Sequence, residues 1–186
     1  MKVCLDAGHS QAKDTGGDPG AVNGKYWESV AALDIVKKLG KLFSDAGAGV
    51  VFTRTGGKPG LQLSERCRIA NDNNVDYFIS IHLNSADNKS ASGIETLRFG
   101  KVGSKTIRLA SNVQRELIDA TGWKDRGVKI RDNLYVLKHT RASAILVEVG
   151  FISNDKECEA LFDDSIQLII AKAIFQGVKQ TSEVKV

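Results

Sequence analysis

Proline is nearly missing from this 186-residue chain, two against 18 glycines, so its loops are shaped by glycine rather than stiffened by proline rings. Aromatic residues make up only 6%, and Lys and Arg are scattered rather than gathered into a run. A nucleic-acid surface carries more of both, so no nucleic-acid partner is expected. Nothing approaches about eighteen consecutive apolar residues, which excludes a membrane-spanning helix from the expectation. Cysteine is scarce and odd in number: Cys4, Cys67 and Cys158 are widely spaced and contain no CxxC pair. That pattern gives neither a disulfide framework nor a sulfur-bound metal. All three read as structural, with Cys158 the candidate for exposure. The opening MKVCLDAGHS has one Lys and then a strand-like stretch interrupted by Asp6, without the apolar core and cleavage site of a secretory leader. The expectation is a protein made in a cytoplasm without export by that route.

What is present is a domain's worth of ordinary globular sequence. The hydrophobic fraction is 42%, the charged fraction 26% and the net charge +4. These values fit one domain with a proper core and a mild preference for anionic partners.

Strand-like and helix-like segments alternate, the pattern of a single α/β domain with a mainly parallel or mixed β-sheet flanked by helices on both faces. Val3–Leu5 reads as a first strand ending at Asp6-Ala7-Gly8-His9, followed by a glycine-rich loop from Ser10 to about Lys25. Val30, Leu33, Val36, Leu39 and Phe43 recur at helical steps, which predicts a helix from Trp27 to about Ala46 closed by Gly47. Val50–Thr53 reads as a strand, the loop Thr55–Gly60 follows, and a helix is expected over Leu63–Asn73. Tyr77–Ile81 predicts a buried strand ending at His82, Gly93–Phe99 another, and Ser104–Ala120 a helix capped by Gly122. Leu134–Leu137 and Ala144–Val149 read as two more strands. A short helix after Asn154 and an amphipathic one over Ser165–Lys179 complete the domain, residues 1–180. The remainder, 181–186, reads as a frayed polar tail or the start of a linker.

Chemistry concentrates at the strand ends, where open α/β sheets bind ligands. His9 and His82 each follow a predicted strand, Glu148 lies toward the end of a third, and Glu28 falls on the first turn of the first long helix. Two imidazoles and a carboxylate, with a further carboxylate nearby, are the composition of a catalytic zinc site with an open fourth position. Each residue also has a plainer reading. A histidine after a strand is commonly a hydrogen-bonded loop residue, and Glu28 alone is an acid at a helix N-terminus. Glu148 is hardest to explain away, because a carboxylate inside ILVEV is costly to bury without a partner or a proton. Its apolar neighbours would raise its pKa toward that of a general base. His139 reads as a surface loop residue, with a reserve role as ligand in place of Glu28.

Several segments together resemble a known family. DAGHS, the Glu28 helix, SERCRIAN, DYFISIHLNSA, DRGVKIRDNLYVLKHT and ILVEVGFISN resemble the zinc-dependent N-acetylmuramoyl-L-alanine amidases, the group of sporulation, daughter-cell-separation and phage lysis amidases. The resemblance runs from about Met1 to Gly177 with its motifs in the family's order. It implies one zinc per chain on His9, Glu28 and His82, with Glu148 as the catalytic carboxylate. It implies peptidoglycan as substrate, cut at the amide between N-acetylmuramic acid and L-alanine. Arg126, in the RGVK stretch, is the candidate for a cationic substrate contact. Two positions depart from the family's pattern: Ser10 follows His9 where a glycine is common, and His139 stands where many members have Asn before Thr. With neither leader nor wall-binding domain, the resemblance implies a phage, prophage or mother-cell sporulation enzyme that reaches the wall after release, as a minimal enzyme or an excised catalytic domain. A zinc peptidase acting within the stem peptide, or a non-catalytic wall-binding module, are the alternative readings.

Overall fold

Val3, Cys4, Leu5 and Ala7 are all fully buried although they alternate in direction, so the strand they form is covered on both faces. In the computed structural model, which describes residues 1–10, 17–56 and 61–183, that strand is one of six in a single sheet. In chain order the elements are β1 (Lys2–Ala7), β2 (Val22–Asn23), β3 (Tyr26–Trp27), α1 (Glu28–Asp45), β4 (Gly49–Phe52), α2 (Leu63–Asp72) and β5 (Tyr77–Asn84). They continue with β6 (Ile94–Arg98), α3 (Ser104–Thr121), β7 (Asp125–Ile130), α4 (Tyr135–His139), β8 (Ser143–Phe151), α5 (Asp155–Leu161) and α6 (Asp164–Glu183).

The sheet order is β4-β1-β5-β8-β6-β7, and every neighbouring pair is parallel except β6 with β8. The expected mixed, mainly parallel α/β sheet is therefore what forms, with helices on both faces. On one face α1, α3, α5 and α6 cover a large core containing Leu5, Leu33, Val36, Leu39, Ile79, Ile145 and Val147. Burying side chains of this kind stabilises by roughly 1.5–3 kcal/mol each. On the other face α2 and α4 cover a smaller cluster built on Cys4, Phe78 and Leu146. Strand residues on this second face that extend past the smaller cluster, toward the C-terminal ends of β1, β5 and β8, remain available for a site.

Several expectations need correction. Leu134–Leu137 is not a strand: Tyr135–His139 forms a short helix that buries Val136 and Leu137 toward α2. The strand containing His82 runs on to Asn84, so His82 lies within it rather than after it. Cys158 is 1% exposed and belongs to the main core. Residues Thr181–Glu183 continue α6, with Thr181 buried, rather than fraying. β7 and the two-residue β2–β3 ladder stand where no strand was expected. Of the expected loops and tail, residues 11–16, 57–60 and 184–186 lie outside the described residues.

Candidate active site

β1 ends in a sharp turn at Gly8-His9. His9 sits in the left-handed region at φ 58, an uncommon conformation for a residue with a side chain. Buried charge enforces it. Arg54 donates to the carbonyls of Ala7, Gly8 and Ser29, and Arg66 donates to those of Ala7 and His9. Arg66 also pairs with Asp6 at 2.6 Å, and Asp6 accepts from Thr53 and Ser80. Burial pushes the Asp6 carboxyl up, but the Arg66 guanidinium and the two hydroxyls outweigh it and hold it below the usual carboxylate range. Burial and the neighbouring Arg66 bring Arg54 down to about 10.

The backbone turn aims three side chains at one point. His9, Glu28 and His82 each offer a ligand atom, and these atoms all lie within 4.8 Å of one another. Glu28 Oε1 stands between the imidazoles, 3.2 Å from His9 Nε2 and 2.9 Å from His82 Nδ1. The Leu83 N–H donates to the same oxygen, and the Ala21 N–H donates to Oε2. The far nitrogen of His9, Nδ1, meets Asp18 at 2.6 Å, the outer carboxylate contact that orients a ligating imidazole. Burial pushes the Glu28 carboxyl up, but its histidine hydrogen bonds dominate and hold it far below the ordinary range. Burial would lower His9, yet Glu28 and Asp18 raise it to about 9. Backbone room is essential at two positions. A Cβ on Gly8 would lie 2.4 Å from the His82 ring, and one on Gly20, at φ 71, would lie 2.6 Å from Glu28 Oε2.

Glu148 is the strand partner of His82 in the β5–β8 register and of Glu95 in the β8–β6 register. Paired positions share a face, so His82, Glu148 and Glu95 form a row across three strands. Glu148 Oε2 is buried without a hydrogen-bond partner among the described residues. Burial raises its pKa to about 7; the two site histidines oppose that rise, while Glu28 and Glu95 add to it. The group can therefore gain or lose a proton near neutrality.

Arg126 is apart from the three clustered ligand atoms. It pairs with Glu95 at 2.8 Å, and its guanidinium lies 4.8 Å from the centre of the Phe151 ring. His139 is exposed at the end of α4, stacked on Tyr135 at 4.1 Å, and takes no part in the cluster. Sequence reasoning missed Arg54, Asp18 and Glu95. Asp6 did carry a signal, a carboxylate interrupting an apolar strand, of the same kind that marked Glu148. A cavity of about 400 Å³ opens beside His9 and His82, walled by Leu63, Leu134, Tyr135 and Leu146.

Three side chains within reach of one metal ion, beside a carboxyl that titrates near neutrality, give the constellation of a hydrolase on an α/β sheet. Comparison with known proteins narrows the class. Residues 3–180 match the family described as N-acetylmuramoyl-L-alanine amidase, and the chain belongs to that family. It is 35% identical to the uncharacterized protein YqiI of Bacillus subtilis over 95% of this chain and 82% of the relative. It is 29% identical to that organism's sporulation-specific N-acetylmuramoyl-L-alanine amidase, over 100% of this chain and 69% of the relative. The crystal structure of an N-acetylmuramoyl-L-alanine amidase from Clostridium difficile 630 superposes with a TM-score of 0.92 at 31% identity, covering 100% of this chain and 98% of the other. Among the described residues, no helix is long and apolar enough to cross a membrane.

Proposed function

We propose that the protein is a zinc-dependent amidase that hydrolyses the bond between the lactyl group of N-acetylmuramic acid and the L-alanine of the peptidoglycan stem. The observation that carries this reading is the meeting of His9, Glu28 and His82 within one ion's reach, with Glu148, whose Oε2 has no hydrogen-bond partner among the described residues, on the neighbouring strand. The donor set fits zinc: two imidazoles and one carboxylate are a known catalytic ligand set, and they leave a coordination position open. The fit extends outward, since Asp18 orients His9 and two backbone N–H groups orient Glu28. Zinc held there would supply Lewis-acid polarisation of the amide carbonyl and a lowered pKa for water.

The chain's own residues supply the proton traffic. As a carboxylate, Glu148 takes a proton from the attacking water, whose oxygen bonds to the lactyl carbon. As the carbon–nitrogen bond breaks, Glu148 returns that proton to the departing L-alanine amine. Its burial keeps both protonation states within reach at neutral pH. Arg54 and Arg66, donating to the Gly8 and His9 carbonyls, hold the left-handed turn that presents His9 to the site.

Mass spectrometry of digested cell walls tests the reading. Stem peptides beginning at L-alanine, with intact glycan strands, are the expected products. Fragments cut between amino acids would assign a stem-peptide peptidase instead. Wall binding with no soluble product would make the chain a binding module.

A further inference from the structure

Beyond Glu148 the same face of the sheet carries a second set of charges. Glu95, on β6, is 5% exposed, and its Oε2 accepts from Arg126 at 2.8 Å and from Lys129 at 2.6 Å. Lys129 pairs with Leu97 in the β6–β7 register, and strand alternation places Leu97 on the face of Glu95. The row His82–Glu148–Glu95 thus continues to the two cations on the edge strand β7. One carboxylate oxygen serves two full positive charges, so among the described residues one charge is left unmatched. Asp125 does not neutralise it: that carboxylate accepts from Gln114 and from the Gly127 N–H, and Asp125 is paired with Ile94 of the opposite core. The side chains of Arg126 and Lys129 are 28% and 31% exposed, so both reach solvent with donors to spare. A buried carboxylate that gathers two cations is a poor device for stability alone, because desolvation offsets much of the attraction.

We infer that Arg126 and Lys129, held by Glu95, form a carboxylate-binding subsite that reads the free α-carboxylate of the γ-linked D-glutamate, the second residue of the peptidoglycan stem. The inference rests on the amidase reading above. Its geometry follows from spacing: β7 lies two strands from β8, roughly 10 Å from the Glu148 strand. Two stem residues past the cut amide reach about 7 Å in an extended peptide, and the two cationic side chains reach back from β7 to Glu95 on β6, the strand next to β8. Glu95 acts as a positioning residue that fixes the two cations. Arg126 and Lys129 determine specificity.

The test compares two soluble substrates, N-acetylmuramoyl-L-alanyl-γ-D-glutamyl-L-lysine and its counterpart with the D-glutamate α-carboxylate amidated. The wild-type protein is expected to prefer the acid by about tenfold in kcat/KM, with the difference in KM, as befits a charged hydrogen-bonded contact. In Arg126→Gln and in Lys129→Gln the preference falls toward one. Lys129 lies on an edge strand and is partly exposed, so its variant keeps the fold. Equal rates on both substrates by the wild type, or a preference surviving in both variants, would overturn the subsite alone. Hydrolysis of neither substrate by the wild type would overturn the amidase reading and the subsite with it.

Discussion

Glu148 faces His82 directly across the parallel β5–β8 ladder. One residue belongs to the group that can hold a metal; the other carries a buried carboxylate oxygen with no partner among the described residues. The pairing puts a proton carrier beside the place where a polarised carbonyl would sit, and a one-residue slip in register would turn Glu148 into the opposite core.

Glu148→Gln removes the proposed proton carrier and keeps the shape. Turnover of wall substrate should fall by roughly 10²–10⁴-fold, the usual loss of a general acid–base. Zinc content by elemental analysis should stay near that of the wild type. Loss of metal in this variant would mean that Glu148 is a ligand instead.

The pH dependence has a defined sign. The proposed role of Glu148 as a base requires its ionised form, so kcat/KM should rise as pH climbs through about 7. In metal-free protein the folded-state pKa of His9 lies above its unfolded value. Its contribution is therefore complete below about 6.5 and lost as pH rises through about 9. The depressed Glu28 and Asp6 contribute above their unfolded values and lose that contribution in acid. Metal-free protein should accordingly melt highest near pH 5–6, and several degrees lower by pH 9. A melting temperature that rises steadily from pH 6 to 9 without metal would contradict these assignments.

Arg66→Met leaves Asp6 ionised and buried without its cation, and releases the Ala7 and His9 carbonyls. Denaturant unfolding should register a loss of about 3–5 kcal/mol. The double variant with Asp6→Asn should recover part of it. Equal losses in single and double variants would show that the ion pair is not what holds the turn.

Gly8→Ala places a methyl group where the His82 ring stands. The fold should survive while zinc affinity drops at least tenfold, as when a ligand's support is disturbed. Calorimetric titration with zinc, alongside a melting curve, separates the two effects.

The sequence made the site legible where chemistry contradicted its surroundings. Glu148 stood out because a charge inside ILVEV conflicts with burial, and the buried orphan oxygen is the structural form of that conflict. His9 and His82 stood at strand ends and Glu28 at the start of the helix after the first loop, which suggested that they meet, and the motif order of a family added their roles. β7 was not legible, because DRGVKI is an edge strand with no fully buried residue and is held by its ladder to β6. The apolar YVL run at α4 suits a strand as well as one helical turn, and its packing against α2 decides. Arg54 left no pattern to find, since all its partners are backbone carbonyls.

A zinc-dependent wall amidase should lyse cell walls only with its metal in place. Zinc is measured by elemental analysis, and turbidity of purified cell walls is followed before chelation, after it, and after zinc is restored. One zinc per chain on His9, Glu28 and His82, lysis lost on chelation, and lysis regained with zinc are expected. Lysis undiminished in protein stripped of metal, or a fully metal-loaded protein that releases nothing from walls, would contradict the zinc-dependent amidase reading.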